Sequence, residues 1–205
     1  MNPTLQGQTA LVTGSGRGIG RSVALKLAAH GARLVVNDLD AEVAQQVADE
    51  IRKAGGEAVA CPGNVTAPDF AERFVGTAME RFGAIDIIVN NAGYTWDAVI
   101  QKMSDEQWFA ILDCHLTAPF RILRAAQPFI RDLVKAETAQ GVERYRKVVN
   151  ISSIAGLGGN AGQANYAAAK SGIVGLTKAL SKEWGRLRVN VNAVAVDEIC
   201  RVGLS

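Results

Sequence analysis

The chain has 205 residues, of which 48% are hydrophobic and 20% charged, and a formal net charge of +2. That composition is ordinary for a globular protein and the length suits one domain with a substantial core. The near-neutral balance, with no basic stripe, argues against a nucleic-acid partner, and the lack of a long apolar run argues against a spanning helix or a membrane partner.

In chain order, Met1-Asn2-Pro3-Thr4 carries no charged and apolar leader, so a cytoplasmic protein is expected. Apolar strand candidates follow at 9–13, 33–37, 57–61, 85–90, 147–151 and 188–194. Helical patterns fall between them near 19–30, 40–54, 67–82, 104–135 and 163–185. Strict alternation of this kind predicts an α/β fold, a doubly wound parallel sheet of the Rossmann type with helices on both faces, three layers in a single domain over 1–205. Ligands of such sheets bind at the carboxyl ends of the strands. The polar stretch Ala136–Arg146 reads as a surface excursion, and the basic cluster Arg144-Tyr145-Arg146-Lys147 as a solvated loop. Cys61, Cys114 and Cys200 are widely spaced without a metal-ligand pattern, so no metal is expected. Cys61 and Cys114 read as buried, reduced thiols.

The first strand, Thr9-Ala10-Leu11-Val12, runs into Thr13-Gly14-Ser15-Gly16-Arg17-Gly18-Ile19-Gly20 and then a helical stretch. Strand, glycine-rich turn and helix is the context a dinucleotide site needs. Glycines allow the tight turn and let backbone N–H groups approach a pyrophosphate, which the helix N-terminus also favours. The second strand ends at Asp38, whose carboxylate can accept from a ribose 2′-hydroxyl and would repel a 2′-phosphate. Arg17 points the other way, since a guanidinium can pair with a phosphate. Asp38 is weighed more heavily, so NAD is expected over NADP.

Tyr166 and Lys170 lie four residues apart, so a phenol and an ammonium share one helix face. A cation beside a phenol favours the phenolate. Ser153, thirteen residues upstream of Tyr166, would hold a carbonyl or alcohol oxygen near that phenol, which makes a proton-transfer site for a C–O centre.

With these motifs, and with Asn90-Asn91-Ala92-Gly93 after the fourth strand, the chain resembles the short-chain dehydrogenase/reductases from about Gly7 to Ala195. Within that family, Gly159-Asn160-Ala161-Gly162-Gln163-Ala164-Asn165-Tyr166 is most similar to 3-oxoacyl-[acyl-carrier-protein] reductases and the related 3-hydroxyacyl-CoA dehydrogenases. The resemblance implies hydride transfer between nicotinamide and a 3-oxoacyl or 3-hydroxyacyl thioester, with Ser153, Tyr166 and Lys170 catalytic. It implies cofactor contacts from Gly14, Ser15, Arg17, Gly18, Ile19, Gly20, Asp38, Asn64, Val65, Asn91, Ala92 and Gly93, and from Tyr166 and Lys170 at the nicotinamide ribose. Asn64 would meet the adenine amino group through its carbonyl oxygen, and Asn90 would tie strands together. Acyl carrier protein is then a possible partner. A homotetramer or homodimer is expected, with 104–135 and 163–185 as its faces, although Ala118, Ala125 and Ala126 suit packing on the sheet equally well. The alternatives are another secondary alcohol or ketone (sugar, polyol, steroid) or a catalytically silent nucleotide-binding relative.

Two positions depart from the family pattern. Relatives usually carry Asn at position 115, where this chain has His115. An imidazole that titrates near neutrality could act as a proton relay there, and a packed histidine bonded to backbone is the other reading. After Ala195 the family's Pro-Gly and its substrate loop are absent. A step in the chain near Ala195–Asp197 longer than the usual Cα spacing would mark a loop missing at that point, and a normal step a real deletion.

Overall fold

The computed structural model describes residues 4–196. Six strands form one parallel sheet: β1 Thr9–Val12, β2 Arg33–Val36, β3 Ala58–Ala60, β4 Ile87–Asn90, β5 Arg146–Ser153 and β6 Val189–Val196. Their order is β3-β2-β1-β4-β5-β6, so the order reverses between β1 and β4, which is where a doubly wound sheet opens a ligand crevice. The strands are short apolar runs because both faces are covered. Side chains alternate between the faces: Ala10, Val12, Leu34 and Val36 join one apolar cluster and Leu11 and Val35 the other.

Helices α1 (Gly18–Ala29) and α2 (Ala41–Lys53) cover the first face. Asp40 caps α2, its Oδ1 accepting from the N–H groups of Glu42 and Val43, which satisfies donors the helix itself cannot. The second face is covered by α3 (Phe70–Phe82), α5 (Ala118–Ala139) and the end of α7 (Ala164–Glu183), through Phe70, Phe74, Ile122, Ile130 and Trp184. Ala118 and Ala126 are fully buried in that cluster, so these small residues pack on the sheet. A four-residue α6 (Ala155–Gly158) follows β5. Among the described residues no helix is long and apolar enough to cross a membrane, and no cluster of His, Cys, Asp or Glu could hold a metal.

The long helix expected over 104–135 is divided. Helix α4 spans Asp105–Leu112, a π-helical turn spans Asp113–Thr117, and α5 then continues to Ala139. Pro119 has no N–H to return to residue 115, and Ala118 N–H bonds Asp113 O instead, five residues back; the turn widens. The polar stretch from Ala136 is therefore helical for its first four residues.

The basic cluster also differs from expectation. Arg146 is not a solvated loop residue: it opens β5 at 2% exposure. Its guanidinium donates to both oxygens of Glu137, at 2.7 and 3.0 Å, and to Ile85 O at 2.9 Å, which is what lets the charge be buried. Cys61 and Cys114 are buried and unpaired, as expected. The join expected near Ala195–Asp197 runs into residues outside the described range, as does Cys200.

Candidate active site

The glycine turn leaves β1 at the sheet's carboxyl edge. A Cβ on Gly14 would lie 2.8 Å from Ala92 Cα, and one on Gly20 would lie 2.1 Å from Gly14 O. Glycine at these two positions lets β1, α1 and the end of β4 close on one another. Gly18 starts α1 at a φ of +52° with open space on its Cβ side. The residue before it, Arg17, gives α1 no side-chain cap, so the helix presents its N-terminal N–H groups outward, as an anion site requires.

Several polar residues fix this turn. Thr13 Oγ1 accepts from the N–H groups of Asn91 and Ala92, each at 3.0 Å, and Asn91 Nδ2 donates to the carbonyls of Thr13 and Gly14. Asn37, 1% exposed, accepts from Gly14 N–H and donates to the carbonyls of Cys61 and Gly63. Sequence reasoning singled out neither Thr13 nor Asn37 as a site residue. Apart from the adjacent Asp38 carbonyl, which Asn37 meets at 3.5 Å, their hydrogen-bond partners lie 22 to 79 residues away, so no local pattern marks them.

The predicted cofactor residues divide into two groups. Asn91 and Ala92 lie against the glycine turn, Gly93 lies against His115, and Ile19 in the turn is exposed. Asp38 lies over Gly16, where a Cβ would meet its Oδ2 at 2.5 Å. Ser15 is wholly buried; its hydroxyl donates to Val12 O and its N–H to Asn37 O, so its polar groups serve the turn. Arg17 pairs with Asp40 at 3.1 Å, both side chains well exposed. Asn64 Oδ1 accepts from both the N–H and hydroxyl of Thr66. The oxygen expected at an adenine amino group is thus already used twice, which leaves the amide N–H2 to face a ligand. Val65 is packed in the core.

The proton-transfer residues converge beyond β4 and β5. Lys170, 4% exposed, donates to Ile151 O at 2.5 Å, and its Nζ lies 5.6 Å from the Tyr166 ring centroid. Ser152 Oγ donates to Lys170 O at 2.7 Å. A Cβ on Gly156 would meet the Lys170 carbonyl carbon at 2.6 Å, so α6 lies directly on α7. Ser153 sits at that junction, 7% exposed, its Oγ accepting from Ala155 N–H at 3.2 Å. Asn90, expected to tie strands together, donates to Asn150 Oδ1 at 2.8 Å, and Asn150 donates to Thr177 of α7 at 2.9 Å. Side-chain bonds thus run from β4 through β5 to the helix that carries Tyr166.

His115, carried by the π turn, completes the cluster. Its ring meets Tyr166 edge-on at 5.1 Å and packs on Gly93, where a Cβ would lie 2.2 Å from Cε1. Nε2 lies 2.7 Å from Tyr94 O and 3.3 Å from Tyr94 N; the shorter contact, to the carbonyl, favours the tautomer with the proton on Nε2, which leaves Nδ1 an acceptor. Nδ1 is buried without a partner among the described residues. Burial, with the Lys170 charge adding to it, pushes His115 down to about 3. The expectation of a ring titrating near neutrality is therefore not met: the imidazole is 4% exposed, backbone-bonded and neutral. Burial also lowers Lys170 to about 8 and raises Cys114 to about 11.

A parallel sheet of this order, with a glycine turn at its switch point and Ser, Tyr and Lys gathered beyond it, defines a dinucleotide-dependent oxidoreductase scaffold. The short chain dehydrogenase family model matches residues 8–199, and the chain belongs to that family. It is 42% identical over 192 residues to the 3-oxoacyl-[acyl-carrier-protein] reductase of Synechocystis, covering 93% of this chain and 74% of that one. It is 43% identical over 195 residues to the hydroxyacyl-CoA dehydrogenase ChsB1 of Mycobacterium tuberculosis, covering 93% and 61%. A crystal structure of a short chain dehydrogenase from Mycobacterium avium superposes with a TM-score of 0.90 at 43% identity, over 98% of this chain and 71% of that one. The chain spans only part of the length of these relatives, and 21% of that of a longer one from Saccharomyces cerevisiae. Members of the family use nicotinamide cofactors. The uncapped α1 N-terminus and the close Gly14–Ala92 packing fit such a group.

Proposed function

We propose that the protein transfers a hydride between NAD and the C3 centre of a 3-oxoacyl or 3-hydroxyacyl thioester. The observation that carries this reading is the Lys170 ammonium held against the Tyr166 ring, with Ser153 at the end of β5 where α6 packs on Lys170. When bound, the nicotinamide supplies or receives the hydride at carbon. In reduction Tyr166 passes its phenolic proton to the carbonyl oxygen as the C–O charge develops, and in oxidation it takes the alcohol proton back. Ser153, whose Oγ accepts from Ala155 N–H, has its hydroxyl hydrogen left to donate to the same oxygen. Lys170, held at Ile151 O, stabilises negative charge on the phenol and presents its remaining protons to the cofactor ribose.

Asp38 supports NAD: its carboxylate beside Gly16 suits a 2′-hydroxyl and opposes a 2′-phosphate. Gly14, Gly18, Gly20 and Ile19 would contact the pyrophosphate and ribose, Asn91, Ala92 and Gly93 the nicotinamide ribose, and Asn64 the adenine, with Val65 reaching it only through its backbone because its side chain is in the core. The names of the relatives support a thioester substrate carried by acyl carrier protein or coenzyme A. Self-association through α4 and α5 belongs to the same proposal, since Phe109, Phe120 and Phe129 are exposed there, and sedimentation would show it. The test of the central reading is Tyr166→Phe. NAD affinity is expected to hold while turnover of acetoacetyl thioester falls by about 100- to 10,000-fold. Retention of most activity would overturn the assignment.

A further inference from the structure

The segment Asn91–Ala98 after β4 forms no regular element, yet buried side chains hold it along its length. Thr13 Oγ1 holds Ala92 N–H, His115 Nε2 donates to Tyr94 O, and Asn165 Nδ2 donates to Trp96 O at 3.1 Å and to Gln107 O at 3.0 Å. Gln163 Nε2 donates to Asp97 Oδ2 at 2.9 Å, and Ala98 N–H bonds Gly162 O at 2.9 Å. None of Thr13, His115, Gln163 and Asn165 is more than 6% exposed. Irregular segments are ordinarily mobile, and four buried polar groups gripping one is pre-organisation.

This scaffold holds two large rings out to solvent: Tyr94 is 49% and Trp96 40% exposed. The Tyr94 ring borders the proposed reacting centre, and the backbone of Trp96 is tied to the helix that carries Tyr166. The Tyr94 ring lies 6.4 Å from His115, which lies 5.1 Å from Tyr166, and Asn165, which holds Trp96 O, immediately precedes Tyr166. Asp97 is the segment's one charged residue, so the surface suits a neutral apolar chain and not the phosphates of a carrier. An apolar wall beside a few convergent polar groups is how small-molecule sites are built.

We infer that Tyr94 and Trp96 form the wall along which the acyl chain of the substrate lies, and that the Gln163–Asp97 hydrogen bond positions that wall. This rests on the thioester reading above, and the experiment keeps the two apart. Short, medium and long 3-hydroxyacyl-CoA substrates are assayed with NAD, and KM and kcat are read separately for each. Trp96→Ala is expected to raise the KM of the long thioesters about tenfold, to move that of the short ones less than about twofold, and to leave the KM for NAD in place. Asp97→Ala is expected to reproduce part of the chain-length effect, about threefold. Asp97→Asn, which keeps an oxygen for Gln163 Nε2, is expected to restore the wild-type profile. If Trp96→Ala shifts every chain length alike while the wild type is active, the wall is overturned and the dehydrogenase reading stands. If Asp97→Asn matches Asp97→Ala, the positioning role of the Gln163 bond is overturned. If the wild type turns over none of the thioesters, the substrate reading fails and the wall fails with it.

Discussion

The two ends of the sheet treat buried charge in opposite ways. At the amino end, Arg146 is matched to both oxygens of Glu137, and the fully buried Asp86 carboxylate accepts from Thr9 N–H and faces Arg144 at 3.5 Å. Both of these buried charges have an opposite charge within reach, whereas Arg33 at the start of β2 bonds the Gly7 carbonyl and lies over the Phe82 ring. At the carboxyl end, Lys170 is as deeply buried but bonds only a carbonyl, and no carboxylate lies within ion-pair distance of it among the described residues. His115 beside it keeps a nitrogen with no partner among the described residues, as Arg33 does at the other end. The Arg146–Glu137 and Asp86–Arg144 pairs compensate the two buried charges at the amino end, whereas the carboxyl end leaves Lys170 without a counter-charge where a cofactor and substrate are proposed to sit. Uncompensated groups with displaced pKa values gather where chemistry is done.

The contrast can be broken first at His115. Above its ordinary value of 6.5 the ring is neutral whether folded or unfolded, so it adds no pH dependence. As the pH falls from 6.5 towards 3, the unfolded chain binds a proton that the folded chain excludes. Stability is then lost on acidification, by up to about 5 kcal/mol from this ring. His115→Asn should flatten that acid limb, read as urea midpoints at neutral and mildly acid pH; an unchanged slope would show that the ring is not excluded from protonation.

Glu137→Ala comes next. It strands the buried Arg146 guanidinium and should lower stability by about 3–5 kcal/mol. Turnover measured well below the melting temperature should be unaffected, because the pair lies at the opposite edge of the sheet from Tyr166. A loss of less than about 1 kcal/mol would mean that Arg146 finds other partners.

Removing Lys170 should act in the opposite direction to Glu137→Ala, while its pH slope has the same sign as that of His115 in a higher window. Below pH 8 it is protonated in both states and its buried charge opposes folding in full; between 8 and 10.5 the folded chain releases the proton first. Stability contributed through this residue should therefore rise across that window, by about 3 kcal/mol. Lys170→Met should abolish the rise while also abolishing turnover, with the freed Ile151 carbonyl offsetting about 1 kcal/mol of the gain at neutral pH. Equal alkaline slopes in variant and wild type would refute the contrast between the two ends.

How far the sequence foretold this follows the same division between local and distant causes. The sheet was legible because Thr9–Val12, Arg33–Val36 and Ile87–Asn90 are apolar runs bounded by turns, and strand-helix alternation permits few topologies. Tyr166, Lys170 and the glycine turn were legible because helical spacing and a strand-turn-helix context are local. The π turn was hidden although Pro119 was in view, since a proline near a helix start is ordinarily read as compatible with helix. Arg146 was misread because its burial depends on Glu137 and on Ile85, 61 residues away. The neutrality of His115 and the grip of Asn165 and Gln163 on residues 58 to 69 positions away are likewise products of tertiary packing.

The smallest expected effect sharpens the comparison at the cofactor end. Arg17 and Asp40 form an ion pair at the carboxyl edge, but in solvent, with side-chain exposures of 62% and 47%. Exposed pairs of this kind contribute about 0–1 kcal/mol, so Arg17→Ala should barely move the melting temperature. If Asp38 governs the choice of nucleotide, as proposed, the ratio of NAD to NADP affinities should change by less than about threefold in that variant. Titration calorimetry with both nucleotides decides it. A tenfold loss of NADP affinity alone would mean that the guanidinium leaves Asp40 to meet a 2′-phosphate; discrimination would then rest on two opposed side chains at the glycine turn, and Asp38 would no longer suffice as its cause.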